Sequence, residues 1–151
     1  MEECRPMTRP QPDARHAYPR FVPLTTRWMD NDVYGHLNNV VYYSLFDTAV
    51  NRLLIEAGAL DIHGGEVIGL VVETHCNFFA SLAFPQKIDA GVRVASQGRS
   101  SVRYEIGLFA EGSDLCAARG HFVHVYVGRD SRRPVAELPA PYLSALKALM
   151  P

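Results

Sequence analysis

The sequence predicts an α+β fold in which a curved antiparallel sheet of about five strands wraps around one long, buried helix, with a short helix near the C-terminus. One long apolar pattern of helical spacing is followed by strand patterns that tight turns connect. After this helix there is no alternation of strands and helices, which argues against a parallel sheet. The 151 residues are enough for a single domain with one core.

The long helix is predicted over residues 38–57. Apolar residues recur at helical spacing from Val40 to Leu54. The resulting stripe is broad, which is typical of a helix enclosed by a sheet rather than laid on a surface. Asn38 or Asn39 is the expected N-cap, and Gly58 is placed to end the helix.

The strands are predicted from runs of alternating or continuous apolar residues that are bounded by turn residues. Gly98 and the Glu111-Gly112-Ser113 run mark two of the turns. The predicted strands are 21–29, 67–79, 86–96, 101–110 and 115–127, and the short helix is 142–149.

Residues 1–20 differ in composition from the rest of the chain. They hold four prolines and four arginines with little apolar content. We therefore expect a loosely ordered N-terminal extension over residues 1–20, followed by a single domain over residues 21–151.

Charge and cysteine usage narrow the class of protein. The net charge is −1 and no basic stripe is interleaved with aromatic residues, so no nucleic-acid partner is expected. No apolar run is long enough to span a membrane, and the N-terminus lacks the apolar region of a secretory signal. Cys4, Cys76 and Cys116 form no C-x-x-C pair. A cytoplasmic protein fits these features best.

The turn between the first strand and the long helix carries the chemistry-bearing residues. It reads D-N-D-V-Y-G-H-L-N-N and places two carboxylates, a glycine, a histidine and two asparagines at a helix start. A helix N-terminus presents free backbone N–H groups and a partial positive charge. Such a turn is suited to holding a polarised carbonyl beside a carboxylate.

Asp32 is the strongest candidate for a catalytic residue in this turn, as a general base on water or a nucleophile at an acyl carbon. The alternative is that Asp30 and Asp32 both cap the loop. His36 orients a substrate, transfers a proton or makes a structural hydrogen bond. A first-turn N–H, that of Asn39, would stabilise negative charge on an oxygen, whereas the Asn38 and Asn39 side chains act chiefly as caps. Gly35 allows a close approach of the backbone.

Other site chemistries find little support. Asp32 and His36 are four residues apart, but a glycine lies between them and no clustered ligands occur elsewhere, so no metal is expected. His121 and His124 point to opposite faces of a strand. The chain has no G-x-S-x-G elbow and no glycine-rich phosphate loop. We expect no cofactor.

The run D-N-D-V-Y-G-H-L-N-N-V-V-Y-Y, residues 30–43, resembles the signature of hotdog-fold acyl-CoA thioesterases of the 4-hydroxybenzoyl-CoA thioesterase type. Similarity continues through V-V-E-T-H-C-N-F-F-A-S-L-A-F-P-Q-K-I from Val71, G-R-S-S-V-R-Y-E from Gly98, H-F-V-H-V-Y-V and R-R-P-V-A-E-L-P. It covers approximately residues 21–149.

The resemblance implies a hotdog fold and a homodimer or homotetramer with active sites at the subunit interface. It also implies that Asp32 is the catalytic carboxylate and that the Asn39 N–H polarises the thioester carbonyl. Asp32 then either activates water or attacks the carbonyl to give a mixed anhydride that water hydrolyses. His36 joins them as a candidate catalytic residue. The candidate substrate-binding residues are Gly35, Tyr42, Glu73, Ser100 and Ser101.

Two other functions remain open from the sequence. A hotdog-fold enoyl-CoA hydratase also uses an aspartate and a histidine four residues apart, within D-x-N-P-x-H, whereas this chain reads D-V-Y-G-H. A non-catalytic acyl-CoA-binding module would use the same apolar interior. The acyl group, the choice between CoA and acyl carrier protein, and the choice between dimer and tetramer also stay open.

Overall fold

The computed structural model describes residues 8–151, and its architecture is the predicted α+β arrangement. One five-stranded antiparallel sheet has the order β1-β3-β4-β5-β2. The strands are β1 (Arg20–Thr25), β2 (Val67–Phe78), β3 (Lys87–Gln97), β4 (Ser101–Ala110) and β5 (Ala118–Gly128), and the α-helices are α1 (Asn39–Glu56) and α2 (Ala140–Lys147). In residues 8–151, no helix is both long and apolar enough to cross a membrane.

Helix α1 matches the predicted helix to within one residue at each end. Asn38 is its N-cap, and the Asn38 side chain accepts a hydrogen bond from the backbone N–H of Val40. Gly58 follows the helix with a φ of 72°, a left-handed conformation that favours glycine. Local capping chemistry therefore determines both ends of α1.

The core lies between α1 and the inner face of the sheet. The buried face of α1 recurs at helical spacing and consists of Tyr42, Leu45, Phe46, Ala49, Val50, Leu53 and Leu54. Strand β4 contributes four alternating buried residues, Val102, Tyr104, Ile106 and Leu108. Gly120 on β5 faces α1, and a Cβ there would lie 2.2 Å from the Phe46 ring. A side chain at Gly120 would therefore require the Phe46 ring and the His75 carbonyl to shift.

Strand β1 is shorter than predicted, because the chain leaves the sheet after Thr25. Residues Trp28–Asp30 form a 3-10 turn instead. The Asp30 carboxylate accepts hydrogen bonds from the backbone N–H and the guanidinium of Arg27. These side-chain contacts stabilise the turn, and the apolar pattern that extended the predicted strand to residue 29 does not reveal them.

The N-terminal segment differs from the expected loose extension where the structure describes it. Residues 13–18, here called the N-terminal strap, cross the outer face of the sheet, and Tyr18 is buried. The Tyr18 ring fills a slot above Gly91 and Gly107, partners in the register of β3 and β4. The strap is thus packed on the sheet, and residues 1–7 of the expected extension lie outside the described residues. The division into an extension over residues 1–20 and a domain over residues 21–151 stays a prediction.

Strand β2 forms one edge of the sheet, because β5 is its partner on one side and no strand of residues 8–151 pairs with the other. Its exposed apolar side chains include Leu70, Val71 and Val72. A β-bulge shifts the register between Val71 and Glu73. The bulge reverses the side-chain alternation, so Val71 and Glu73 lie on opposite faces.

Candidate active site

A cavity of about 680 Å³ lies where the turn, the start of α1 and the segment after β2 meet. It brings together four of the residues that the sequence singled out, namely Asp32, His36, Asn39 and Tyr42. The other lining residues are Leu37, Asn38, Phe78, Phe79, Ala80 and Ser81. A carboxylate, an imidazole and a helix N-terminus therefore share one concave surface.

The turn holds Asp32 through backbone hydrogen bonds. Oδ1 of Asp32 accepts from the N–H of Tyr34 at 2.8 Å and from that of His36 at 3.4 Å. The Asp32 backbone N–H donates to the His36 carbonyl at 2.8 Å. Gly35 has a φ of 81°, and its N–H donates to the Asp32 carbonyl. Within residues 8–151 these contacts occupy only Oδ1 and leave Oδ2 free for a ligand.

Asp30 has a different environment, although it lies two residues from Asp32. Its side chain is buried and paired with Arg27, with Oδ1 2.9 Å from the guanidinium. Its carbonyl accepts the backbone N–H of Asn38 at 2.9 Å. Asp30 thus joins the 3-10 turn to the start of α1 and does not line the cavity.

The first turn of α1 leaves one backbone donor without a partner. Asn38 caps the N–H of Val40 through its side chain, and its carbonyl accepts the N–H of Val41. Asn39 is the first residue of the helix, so its own N–H has no intrahelical acceptor. No other acceptor within residues 8–151 contacts that N–H. It lies at the positive end of the α1 dipole and belongs to a residue that lines the cavity.

Aromatic residues form the apolar wall. The Tyr42 and Phe78 rings meet edge to face with centroids 4.8 Å apart. Burial raises the pKa of Tyr42, so its hydroxyl stays protonated at neutral pH. The segment after β2 is tied to the turn, because the Leu37 N–H donates to the Leu82 carbonyl at 2.7 Å and the Phe84 N–H to Oδ1 of Asn31 at 2.9 Å.

Glu73 is not brought to this cavity. It lies on the outer face of β2, where Oε2 is 3.5 Å from Nε2 of His121. The expectation that it reaches the site is not met within one chain, because the bulge after Val71 turns it away from α1.

Ser100 and Ser101 also lie away from the cavity. Ser101 begins β4 and pairs with Val125, whereas the cavity lies near Ala118 at the other end of β5. The Ser100 carbonyl accepts the backbone N–H of Tyr126 and the Ser101 carbonyl that of Gly98. Within one chain both serines hold the β3–β4 turn and do not contact the Asp32 site.

No sequence signal points to Leu37, Ala80 or Ser81, although all three line the cavity. They carry no titratable group, and their place depends on contacts with distant segments: the N–H groups of Phe79 and Ala80 both donate to the Ala117 carbonyl. In residues 8–151, no group of three or more His, Cys, Asp and Glu side chains is arranged to hold a metal ion.

The model of the thioesterase superfamily matches residues 34–117, which is more than half of the sequence. This chain belongs to the thioesterase superfamily. It is a thioester hydrolase with a hotdog fold, which confirms the resemblance drawn from the Asp30–Tyr43 run. A search of curated proteins finds no significant match.

Solved structures agree with this assignment. The PA5185 protein from Pseudomonas aeruginosa strain PAO1 is 57% identical, with coverage of 93% of this chain and 97% of that chain and a TM-score of 0.90. A 1,4-dihydroxy-2-naphthoyl-CoA thioesterase from Synechocystis is 16% identical over 84% and 94% of the two chains, with a TM-score of 0.75. A DHNA-CoA thioesterase from Staphylococcus aureus is 20% identical over 77% and 78%, with a TM-score of 0.70. The last two share the fold of this superfamily member.

Proposed function

We propose that this thioesterase hydrolyses acyl-CoA thioesters to a free acid and CoA. Asp32 is the general base or the nucleophile, and the backbone N–H of Asn39 polarises the thioester carbonyl. One observation carries the proposal: two groups without a hydrogen-bond partner among residues 8–151, a carboxylate oxygen and a helix N-terminal N–H, belong to residues that line one cavity. Acyl transfer needs both groups.

The two routes differ in the first bond that forms. As a general base, Asp32 takes a proton from water, the water oxygen bonds to the acyl carbon, and the C–S bond breaks. The proton on Asp32 passes to the leaving thiolate, so CoA is released as the thiol and the carboxylate is regenerated. As a nucleophile, Asp32 bonds to the acyl carbon and the C–S bond breaks to release the CoA thiolate. Water then cleaves the mixed anhydride to the free acid and the Asp32 carboxylate, and the proton released in this step balances the thiolate. In both routes negative charge develops on the carbonyl oxygen, where the Asn39 N–H donates.

Other cavity residues have supporting roles in the proposal. Gly35 gives the turn the left-handed conformation that places its N–H on the Asp32 carbonyl. His36 stands at the mouth of the cavity as a polar group for the substrate or for proton transfer. Tyr42 and Phe78 provide the apolar surface for the acyl group.

We also infer that two copies assemble through the free edge of β2. The edge carries exposed apolar side chains, and its backbone groups pair with no strand of residues 8–151, a combination that favours strand pairing with a second copy. An antiparallel pairing places the start of one β2 beside the end of the other. The Ser100–Ser101 turn of one copy would then approach the end of the sheet at which the other copy has its cavity. Sedimentation velocity over a range of concentrations tests this, and a monomer throughout would contradict it.

The activity is tested by measuring free-thiol release from short-chain, long-chain and aromatic acyl-CoAs. We expect thiol release from at least one class. In parallel, crotonyl-CoA distinguishes the reaction types, since loss of its conjugated absorbance without thiol release would indicate a hydratase. Binding of acyl-CoAs without any turnover would indicate a binding module. Mass spectrometry of rapidly quenched reactions separates the two routes, because an acyl adduct on the Asp32 peptide identifies the nucleophile.

A further inference from the structure

The N-terminal strap is anchored to the sheet through Asp13. Its carboxylate accepts hydrogen bonds from Arg119 at 2.8 Å, from Arg93 at 3.3 Å and from the Tyr18 hydroxyl at 2.8 Å. Its backbone exchanges two further contacts with Cys116, whose N–H donates to the Asp13 carbonyl and whose sulfur accepts the Asp13 N–H. Asp13 therefore connects the strap to β3 and to the segment that leads into β5.

A small second core lies under the strap on the outer face of the sheet. Its buried members are Tyr18, Phe109 and Cys116, and Phe79 is packed against them. The Arg93 guanidinium lies over the Tyr18 ring at 4.7 Å from its centroid. Phe79 is also one of the residues that line the cavity with Asp32.

The strap thus contacts the segment that supports one wall of the active site. Directly after Cys116, the Ala117 carbonyl accepts the N–H groups of Phe79 at 2.8 Å and Ala80 at 3.0 Å. The Arg119 guanidinium, held by Asp13, lies 5.8 Å from the Phe79 ring centroid. Two independent connections, one through the backbone at 116–117 and one through Arg119, link Asp13 to Phe79.

We propose that Asp13 and Tyr18 are positioning residues for thioester hydrolysis, because they hold the Phe79–Ala80 wall at its distance from Asp32 and so set the width of the substrate cavity. The kinetic part of this proposal rests on the proposed function. The strap itself touches none of the groups assigned to the chemical step, so its effect is on substrate binding. Loosening the wall is therefore expected to raise KM and to leave kcat nearly unchanged.

The first test compares Asp13→Asn with Asp89→Asn. Asp89 is the matched control. Its carboxylate pairs with Arg15 of the strap and is about as shielded from solvent as that of Asp13. The Asp89 side chain makes no hydrogen bond to residues 116–119. Hydrogen–deuterium exchange of the Phe79 and Ala80 amides is expected to accelerate by about tenfold in Asp13→Asn and to stay at the parent rate in Asp89→Asn. Equal exchange in parent and Asp13→Asn would overturn the proposal.

The second test is steady-state kinetics of the same variants on the acyl-CoA that the parent hydrolyses fastest. Asp13→Asn is expected to raise KM about fivefold with kcat within about twofold of the parent, and Asp89→Asn to leave both unchanged. Tyr18→Phe keeps the ring in the Gly91–Gly107 slot and removes the bond to Asp13, so a smaller rise in KM is expected. A rise in KM of the same size in Asp89→Asn would show that the strap affects KM only by stabilising the fold in general, and this would overturn the proposal.

The two tests separate the inference from the activity on which it rests. A parent protein that hydrolyses no acyl-CoA contradicts the proposed function, whereas the exchange comparison still decides whether Asp13 holds the wall. If Asp13→Asn does not fold, Tyr18→Phe carries both measurements, and parent-like exchange and KM in that variant would contradict the proposal.

Discussion

Two turns of this thioesterase have the same local chemistry and different surroundings. In each, an aspartate oxygen accepts backbone N–H groups from residues further along the turn: Asp32 accepts from Tyr34 and His36, and Asp61 accepts from His63 and Gly64. The Asp61 turn leads into β2 and is exposed. The pKa of Asp61 is lowered by the hydrogen bonds from the Gly64 and His63 backbone.

The difference between the turns lies in what faces the second carboxylate oxygen. After Asp32 the chain enters α1, so the aspartate shares a cavity with the free N–H of Asn39. After Asp61 the chain enters a strand, which offers no group of helix N–H donors. A turn held by an aspartate therefore becomes a candidate active site only when a helix start and an apolar wall enclose it.

The largest effect is expected from the matched pair Asp32→Asn and Asp61→Asn. Asparagine retains an oxygen for the turn hydrogen bonds but is neither a base nor a nucleophile. Asp32→Asn should therefore lower kcat for thioester hydrolysis by at least about a hundredfold while acyl-CoA binding is retained. Asp61→Asn should keep kcat within about twofold. Free-thiol release measures kcat, and isothermal titration calorimetry measures acyl-CoA binding.

Equal kcat values for the parent and Asp32→Asn would remove Asp32 from the mechanism. An equally severe loss of kcat in Asp61→Asn would show that each substitution lowers activity by disturbing the fold. The Asp32 turn would then have no catalytic role that the Asp61 turn lacks.

The next effect concerns the helix start that distinguishes the two turns. Proline is tolerated at the first position of a helix, and Asn38 has φ −59° and ψ 140°, a conformation compatible with a following proline. Asn39→Pro should thus remove the N–H without disturbing α1 and lower kcat by about 10²–10³-fold. Asn39→Ala keeps the N–H and should retain kcat within about threefold.

Circular dichroism and thermal unfolding check that both Asn39 variants are folded, and free-thiol release gives kcat. Parent-like activity in folded Asn39→Pro would show that the carbonyl is polarised by another group. A severe loss in Asn39→Ala would assign the role to the side chain instead of the backbone.

A smaller effect on catalysis and a larger one on stability are expected from Asp30→Asn. The substitution removes the charge from a buried carboxylate that accepts three contacts from Arg27. We expect a loss of about 1–3 kcal/mol in the free energy of unfolding. The folded variant should lose less kcat than Asp32→Asn does. Urea unfolding and free-thiol release measure the two quantities, and a kcat loss as severe as that of Asp32→Asn at unchanged stability would reverse the roles of the two aspartates.

Local signals explain what the sequence predicted well. The Asn38 cap and Gly58 lie next to the helix they delimit, so the bounds of α1 followed from neighbouring residues. The turn residues 30–39 were recognised for the same reason, because all of them are close in the chain.

Non-local contacts explain what the sequence did not predict. The strap packs on the sheet because Gly91 and Gly107, more than 70 residues away in the chain, leave room for the Tyr18 ring. The composition of residues 1–20 does not reveal that slot. Glu73 faces outward because of a bulge that breaks the two-residue alternation. Ala80 and Ser81 enter the site through hydrogen bonds of their segment to Ala117, a pairing that depends on the folded sheet.

The smallest effect is expected from Gly35→Ala, which tests whether the shape of the Asp32 turn matters in addition to its carboxylate. Gly112, in the β4–β5 turn, is the matched control: both glycines have a φ of 81°, and neither has a heavy atom within 4 Å of an added Cβ. Alanine at either position should cost about 1 kcal/mol in the free energy of unfolding, because a side chain disfavours this conformation.

Only Gly35 donates its N–H to the Asp32 carbonyl, so only Gly35→Ala should also lower kcat/KM, by about threefold to tenfold. Urea unfolding and free-thiol release on the two alanine variants give both quantities. Equal kcat/KM at equal loss of stability would mean that the backbone of the turn tolerates distortion without moving Asp32. The difference between the Asp32 and Asp61 turns would then depend on the helix start alone.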